Sequence, residues 1–300
     1  MHPAPRTLEQ RGKLMTVGIG LVCGSGKYNL LGADTRGSYG NVTSNDEMAK
    51  MFDLPAYYFG VMAGVGSYCT DVIAELYHRM KKIPDAEIAP EQARQCIRES
   101  YQQVYIESAK EALLNGPRIT WDQYLYDRKI VPKVRRQAEN TLRSIEINGS
   151  LIVAGFYQGQ PVQFVAAPDF NDPAALIVAP EITPGNAVIG SGSTAALNWL
   201  NYRKQNIHFG LAHSLLHLTE AKQFAEVEKT VGPLRHAALL WPGGCKPLDW
   251  TEDAQKLMQG WWRNYGLLLS DNLEDESYNK AVRDTFGLGA TGSELASGSC

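Results

Sequence analysis

Short apolar runs separated by polar turns fill the first part of the chain, and longer stretches with helical periodicity follow. TVGIGLVC (16–23) and LLGADTR (30–36) flank the polar, glycine-containing GSGKYN, which predicts a β-hairpin. KMFDL (50–54) and YYFGVMAG (57–64) flank Pro55-Ala56 and predict another strand pair. Residues 67–82 carry Val72, Ile73, Leu76 and Tyr77 on one stripe behind Ser67, the expected N-cap of a helix. A second helix is expected over 90–114, opened by Pro90-Glu91 and closed by Asn115-Gly116. Residues 117–143 are charged and aromatic and read as an insertion of partly helical character. Strands return at SLIVAGFY (150–157), PVQFVAAPD (161–169) and AVIGSG (187–192). Helices are expected over 193–204 and 209–229, a last strand over 236–241, and one amphipathic helix over 251–269. The tail ATGSELASGSC is small and polar and is expected to be mobile.

Strands and helices are grouped rather than alternating. That order favours α+β layering with antiparallel hairpins over a doubly wound parallel sheet. Three segments are expected: 1–15, a leader or a mis-assigned start; 16–242, the main domain, with 117–143 inserted; and 243–300, a C-terminal helical extension with its tail.

Composition narrows the function classes. The chain has 300 residues, 44% of them hydrophobic and 20% charged, which excludes a disordered, collagenous or coiled-coil protein. A net charge of -3 gives no electrostatic reason to expect nucleic acid or an anionic membrane surface. No apolar run approaches the length of a bilayer span, and the first fourteen residues lack the apolar core of a secretory signal. Five cysteines at wide spacing, with no CxxC pair, suggest reduced thiols in a cytoplasmic protein. The sequons at Asn41 and Asn148 are then accidental.

Several short pieces carry candidate chemistry: Thr16-Val17 opening the first strand, Gly32-Ala33-Asp34-Thr35-Arg36 ending the second, Ala49-Lys50-Met51-Phe52, Ala63-Gly64, and Gly190-Ser191-Gly192-Ser193 at a strand-to-helix junction. Asp34 and Lys50 are sixteen residues apart, and Lys50 and Gly64 fourteen. In these motifs, their order and these two spacings, the chain resembles the proteasome β-type family of N-terminal-nucleophile hydrolases over residues 15–82 and 148–242. TVGIGL and the later TVGP (230–233) look closest to bacterial relatives of the ancestral-β-subunit kind.

The resemblance implies a four-layer αββα sandwich and a threonine peptidase without cofactor or metal. Thr16 would be the nucleophile. A threonine hydroxyl is a poor nucleophile at neutral pH and needs a base; a freed α-amine, with an ordinary pKa of about 8, can serve. Lys50 would supply a fixed positive charge or relay the proton, and Asp34 would orient Lys50. The Gly64 N–H would donate to the oxyanion, and Ser191 would stand near the amine. Gly37, Met48, Phe52, Met62 and Gly66 would fall near the first specificity pocket, whose apolar walls favour an apolar P1 side chain. The equal reading of Met48 and Met62 is ordinary core.

Two registers stay open. Thr16 stands eighteen residues before Asp34, two more than in the family. Two extra residues in the GSGKYN turn absorb the difference and preserve the face of each side chain. The rival register aligns Thr16-Val17-Gly18 two places later, puts Leu14 at the nucleophile's position and makes the chain catalytically dead. Met15 departs from the glycine after which the family cuts itself, but its removal would expose Thr16.

Other signals are weaker. GSGSTA (190–195) follows a strand and opens a helix, but the βαβ unit and the distal acid of a dinucleotide site are missing. Gly24-Ser25-Gly26-Lys27 has Tyr28 where a phosphate loop needs Ser or Thr. His213 and His217 are four apart on a helix, but Ser214 replaces the glutamate of the zinc-protease pattern, so buried helix histidines are the simpler reading.

The expected function is therefore a threonine-type endopeptidase acting on peptides within a homo-oligomeric ring or stack, with no nucleic-acid or membrane partner. The helices at 67–82 and 90–114 and the segment from 243, with Trp250, Trp261, Trp262 and Tyr265, are candidate contact surfaces. Alternatives are a non-catalytic structural subunit that keeps its leader, and an amidase of the same nucleophile class.

Overall fold

The computed structural model describes residues 16–34, 37–39, 42–45, 50–84, 87–169, 172, 175–180, 185–226, 231, 234–249, 251–265 and 276–288. It is a mixed α+β fold built around two antiparallel five-stranded sheets, with eight helices among the described residues.

The first hairpin forms where the turn signal stands, from β1 (Gly18–Cys23) and β2 (Tyr28–Asp34). A small ladder follows, β3 (Gly37–Tyr39) with β4 (Val42–Asn45). The second hairpin joins β5 (Met51–Leu54) to β6 (Tyr58–Gly64). Helices α1 (Gly66–Lys81), α2 (Pro90–Asn115), α3 (Trp121–Tyr126) and α4 (Pro132–Arg143) come next. The chain returns to strands with β7 (Gly149–Tyr157), β8 (Gln160–Pro168), β9 (Leu176–Pro180) and β10 (Asn186–Ile189). Helices α5 (Ser193–Tyr202) and α6 (Leu211–Ala225), strands β11 (Leu234–Trp241) and β12 (Gly244–Asp249), and helices α7 (Glu252–Tyr265) and α8 (Glu276–Thr285) complete it. The first sheet runs β10-β1-β2-β11-β12 and the second β5-β6-β7-β8-β9.

Three cores explain why the central strands are apolar at nearly every position. Along β7, Leu151 and Val153 join one core while Ile152 and Ala154 join another. The strand alternates faces every residue, so burial on both sides turns an alternating pattern into a continuous run. One core holds residues of both sheets, including Leu31, Ala33, Val61, Ile152, Ile189 and Leu240. A second lies between the first sheet and α5, α6, α7 and α8, with Leu200, Leu215, Leu218, Met258 and Tyr278. The third packs α1 and α2 on the second sheet through Leu76, Met80, Ile97 and Tyr101. The sheets approach closely at Gly18, where an added Cβ would lie 2.7 Å from Val61 Cγ1.

Several expectations need correction. The cap of α1 is Val65, not Ser67, and no side chain closes that end. Gly116 ends α2 at φ -93°, not in the left-handed conformation expected of a C-terminal glycine. The stretch 117–143 contains two helices; Thr120 and Gln123 form a reciprocal cap on α3, and α4 buries only Ala138. Strands β9 and β12 and helix α8 were not expected at all. In particular, β11 turns back at Pro242-Gly243 into β12, so the first sheet continues past residue 243. Cys23, Cys69 and Cys96 are buried free thiols, but Cys245 is disulfide-bonded, against the expectation of thiols throughout. No helix among the described residues is long and apolar enough to cross a membrane.

Candidate active site

The open end of the first hairpin carries the site. Pairing of Gly18 with Ala33 brings Val17 opposite Asp34, and the Asp34 N–H donates to Val17 O at 3.3 Å. The Asp34 side chain returns the contact: its Oδ1 accepts from the Val17 N–H at 3.0 Å. The same oxygen accepts from the Thr16 hydroxyl at 2.5 Å.

Lys50 comes from the second sheet. It precedes β5, and its carbonyl accepts from the Met62 N–H on β6 at 2.9 Å. From there its ammonium crosses to the first sheet, meets Asp34 Oδ1 at 2.9 Å and donates to the Thr16 hydroxyl. Thr16, Asp34 and Lys50 thus form a closed triangle. All three are buried, at 2%, 0% and 4% exposure, where an ion pair is screened far less than on a surface. Breaking such a pair from one side leaves a buried charge uncompensated.

The junction between β10 and α5 holds the other side of Thr16. The Thr16 N–H donates to Ser191 Oγ at 3.1 Å, and the Gly192 N–H donates to Thr16 O at 3.3 Å. The cap of α5 is Gly192, and the Ser191 hydroxyl serves Thr16. Gly190 adopts φ +93°, and a Cβ there would stand 2.1 Å from Thr16 O. Only glycine lets the junction come this close.

Gly64 ends β6, two residues past Met62, at φ +139°. A side chain there would meet Asn148 O at 2.4 Å. The candidate pocket residues are placed differently. Met62 is buried in the core under α1 and α2, and Phe52 packs against that core beside Gly60. Gly66 is the first residue of α1, and Gly37 the first of β3. Met48 lies outside the described residues, as do Leu14, Met15 and Trp250 and the side chains of Trp261, Trp262 and Tyr265.

Helix α6 adds groups that motif spacing did not single out. Lys222 is 1% exposed and pairs with Glu226 at 2.7 Å. Burial lowers its pKa first; Glu226 and Asp34 oppose that shift, and the Lys50 charge adds to it. The available signal was a lysine on the otherwise apolar stripe of Leu215, Leu218 and Ala225.

The histidines of α6 belong to a separate buried network. Gln205 donates to Ser214 Oγ at 3.2 Å and meets His217 Nδ1 at 2.6 Å. Burial, with the neighbouring His213 and Arg203 charges, pushes the His217 pKa down to about 3. The described residues contain no group of three metal-ligating side chains. Nearby, Arg203 grips Glu220 through two bonds of 2.5 and 2.8 Å, and Trp199 Nε1 donates to the same carboxylate.

Chemically, the triangle places a hydroxyl between an ammonium and a carboxylate, which suits proton relay from a nucleophile. Its missing component is a base on the nitrogen side, because in the intact chain the Thr16 nitrogen is an amide. Compared with protein-family models and with curated proteins, the chain matches none.

Proposed function

We propose that the protein is a threonine-type peptidase of the proteasome β-subunit-like class, with the four-layer αββα architecture of N-terminal-nucleophile hydrolases. The observation that carries this reading is the contact of the Thr16 hydroxyl with both Asp34 and Lys50 while Ser191 receives the Thr16 N–H.

Cleavage of the Met15–Thr16 bond turns that nitrogen into an amine beside its own hydroxyl. The hydroxyl oxygen attacks the scissile carbonyl and its proton passes to the amine, helped by Lys50. The tetrahedral oxyanion falls to the Gly64 N–H, a type of contact worth about 2.7–4 kcal/mol. The leaving amine takes the proton, and water then hydrolyses the Thr16 ester. Lys50 and Asp34 hold the Thr16 hydroxyl in place until it attacks. Peptides with an apolar P1 residue are the proposed substrates, in a homo-oligomeric ring or stack and without a cofactor.

The test is intact mass and N-terminal sequence of the protein made from its native gene, followed by a peptidyl β-lactone. A chain beginning at Thr16 that takes one acyl group on Thr16, and loses this in Thr16→Ala, supports the reading. A chain that retains Met15 and takes no acyl group overturns it in favour of a structural subunit. Acylation with turnover of small amides but not peptides makes it an amidase.

A further inference from the structure

Helix α6 packs on β1 and β2, directly behind the triangle. A Cβ on Gly32 would touch Leu218 at 3.0 Å, and one on Gly192 would lie 2.9 Å from Ala225 and 3.3 Å from Val17. The helix therefore runs from beneath Gly32 to beneath Val17. Lys222 lies between Leu218 and Ala225 on that stripe. Asp34 follows Gly32 by two residues, so the two share a face of β2.

We infer that Lys222, paired with Glu226 behind the site, is a positioning residue that governs the proton held by Lys50. The inference rests on the reading of Thr16, Asp34 and Lys50 as the chemical site.

A lysine 1% exposed on an apolar helix stripe is costly to bury, and its carboxylate partner Glu226 lies at the helix end with 39% of its side chain exposed. Shape alone would favour leucine or methionine at this position. Among the described residues, the charged groups acting on Lys222 include Glu226 from α6, Asp34 from β2 and Lys50 from the start of β5. Lys50 is faced in addition by Cys69 of α1, whose thiol burial pushes up to about 12, so it stays neutral. Charge interactions are reciprocal. Since the Lys50 charge disfavours a proton on Lys222, an ammonium at Lys222 disfavours one on Lys50. Lys222 thus biases Lys50 towards accepting and passing on the Thr16 proton.

The experiment follows the Lys50 side chain by 13Cε-lysine NMR across pH, in the wild type, Lys222→Met, Lys222→Arg and Lys222→Gln. Acylation of Thr16 by the peptidyl β-lactone is measured over the same range. In Lys222→Met the Lys50 midpoint moves up, and acylation on the acid limb falls about threefold to tenfold. Lys222→Arg keeps the charge and the wild-type Lys50 midpoint. Should Lys222→Met fail to fold, Lys222→Gln decides, since it also removes the charge and moves the Lys50 midpoint up. An unchanged Lys50 midpoint in folded Lys222→Met or Lys222→Gln, or an equal shift in Lys222→Arg, overturns the inference. A wild type that never acylates overturns the peptidase reading instead, and the Lys50 midpoints still decide the role of Lys222.

Discussion

Asp34 Oδ1 meets the Thr16 hydroxyl at 2.5 Å across eighteen residues of sequence, and the same oxygen takes the Val17 N–H and the Lys50 ammonium. One carboxylate oxygen thus ties the first strand's entry, the second strand's end and the opposite sheet together. Its loss should be felt in stability as well as in chemistry.

Asp34→Asn keeps the shape and removes the charge. It leaves the Lys50 ammonium buried beside a neutral amide, a loss of about 3–5 kcal/mol. Urea unfolding should show that loss. The double variant Asp34→Asn with Lys50→Met should recover part of it, since the Lys50 charge is removed together with its partner's. Additive losses in the double variant would mean the two side chains do not act as a pair.

Gly190→Ala should damage the site from the other side. The residue must hold φ +93° with its Cβ 2.1 Å from Thr16 O, so the junction has to shift. Strain of this kind costs about 1–3 kcal/mol. The expected result is a lower melting temperature together with weaker β-lactone acylation of Thr16. Wild-type values for both would show that the junction is freer than its geometry implies.

Acid should weaken the fold through His217. Its folded pKa is lowered to about 3 from an ordinary 6.5, mainly by burial. Its contribution to stability is therefore fully present above pH 6.5. It is lost as pH falls from there towards 3, because the unfolded chain takes up a proton the folded one refuses. Urea midpoints at pH 7.5 and 4.5 measure the drop, and His217→Gln should flatten it. Equal slopes in the two proteins would place the acid sensitivity elsewhere.

Glu220→Gln should be costly and correctable. The Arg203–Glu220 pair is buried on both sides, at 4% and 1% side-chain exposure. Removing the carboxylate's charge takes away the counter-charge that Glu220 gives the buried guanidinium and should cost about 3–5 kcal/mol. Arg203→Met with Glu220→Leu should cost less than Glu220→Gln alone, as read from thermal unfolding.

How far the sequence discloses this molecule depends on the kind of signal each part leaves. The hairpins β1–β2 and β5–β6 are marked by the polar GSGKYN and by Pro55-Ala56 between apolar runs, and they form as expected. Strand β12 hides behind Gly243, Gly244 and Pro247, residues that normally interrupt strands. Among the described residues it pairs only with β11, an edge position where a proline costs little. Helix α4 gives no core signal, because a single alanine is all it buries. In the site, Thr16, Asp34, Lys50 and Ser191 are legible as spaced motifs, and the fold brings them together. Lys222 leaves only a faint signal, a lysine within an apolar stripe, because Lys222 and Glu226 four residues apart also resemble any solvated helix pair. Only the packing of α6 on β1 and β2 makes that lysine internal.

Thr16 exposes only 2% of its surface in the full chain. The burial is a safety catch as well as a geometry. A hydroxyl so enclosed, beside a nitrogen that is still an amide, stays out of reach of a reagent and without a base. The full-length chain should therefore stay unacylated at reagent concentrations that saturate the chain beginning at Thr16.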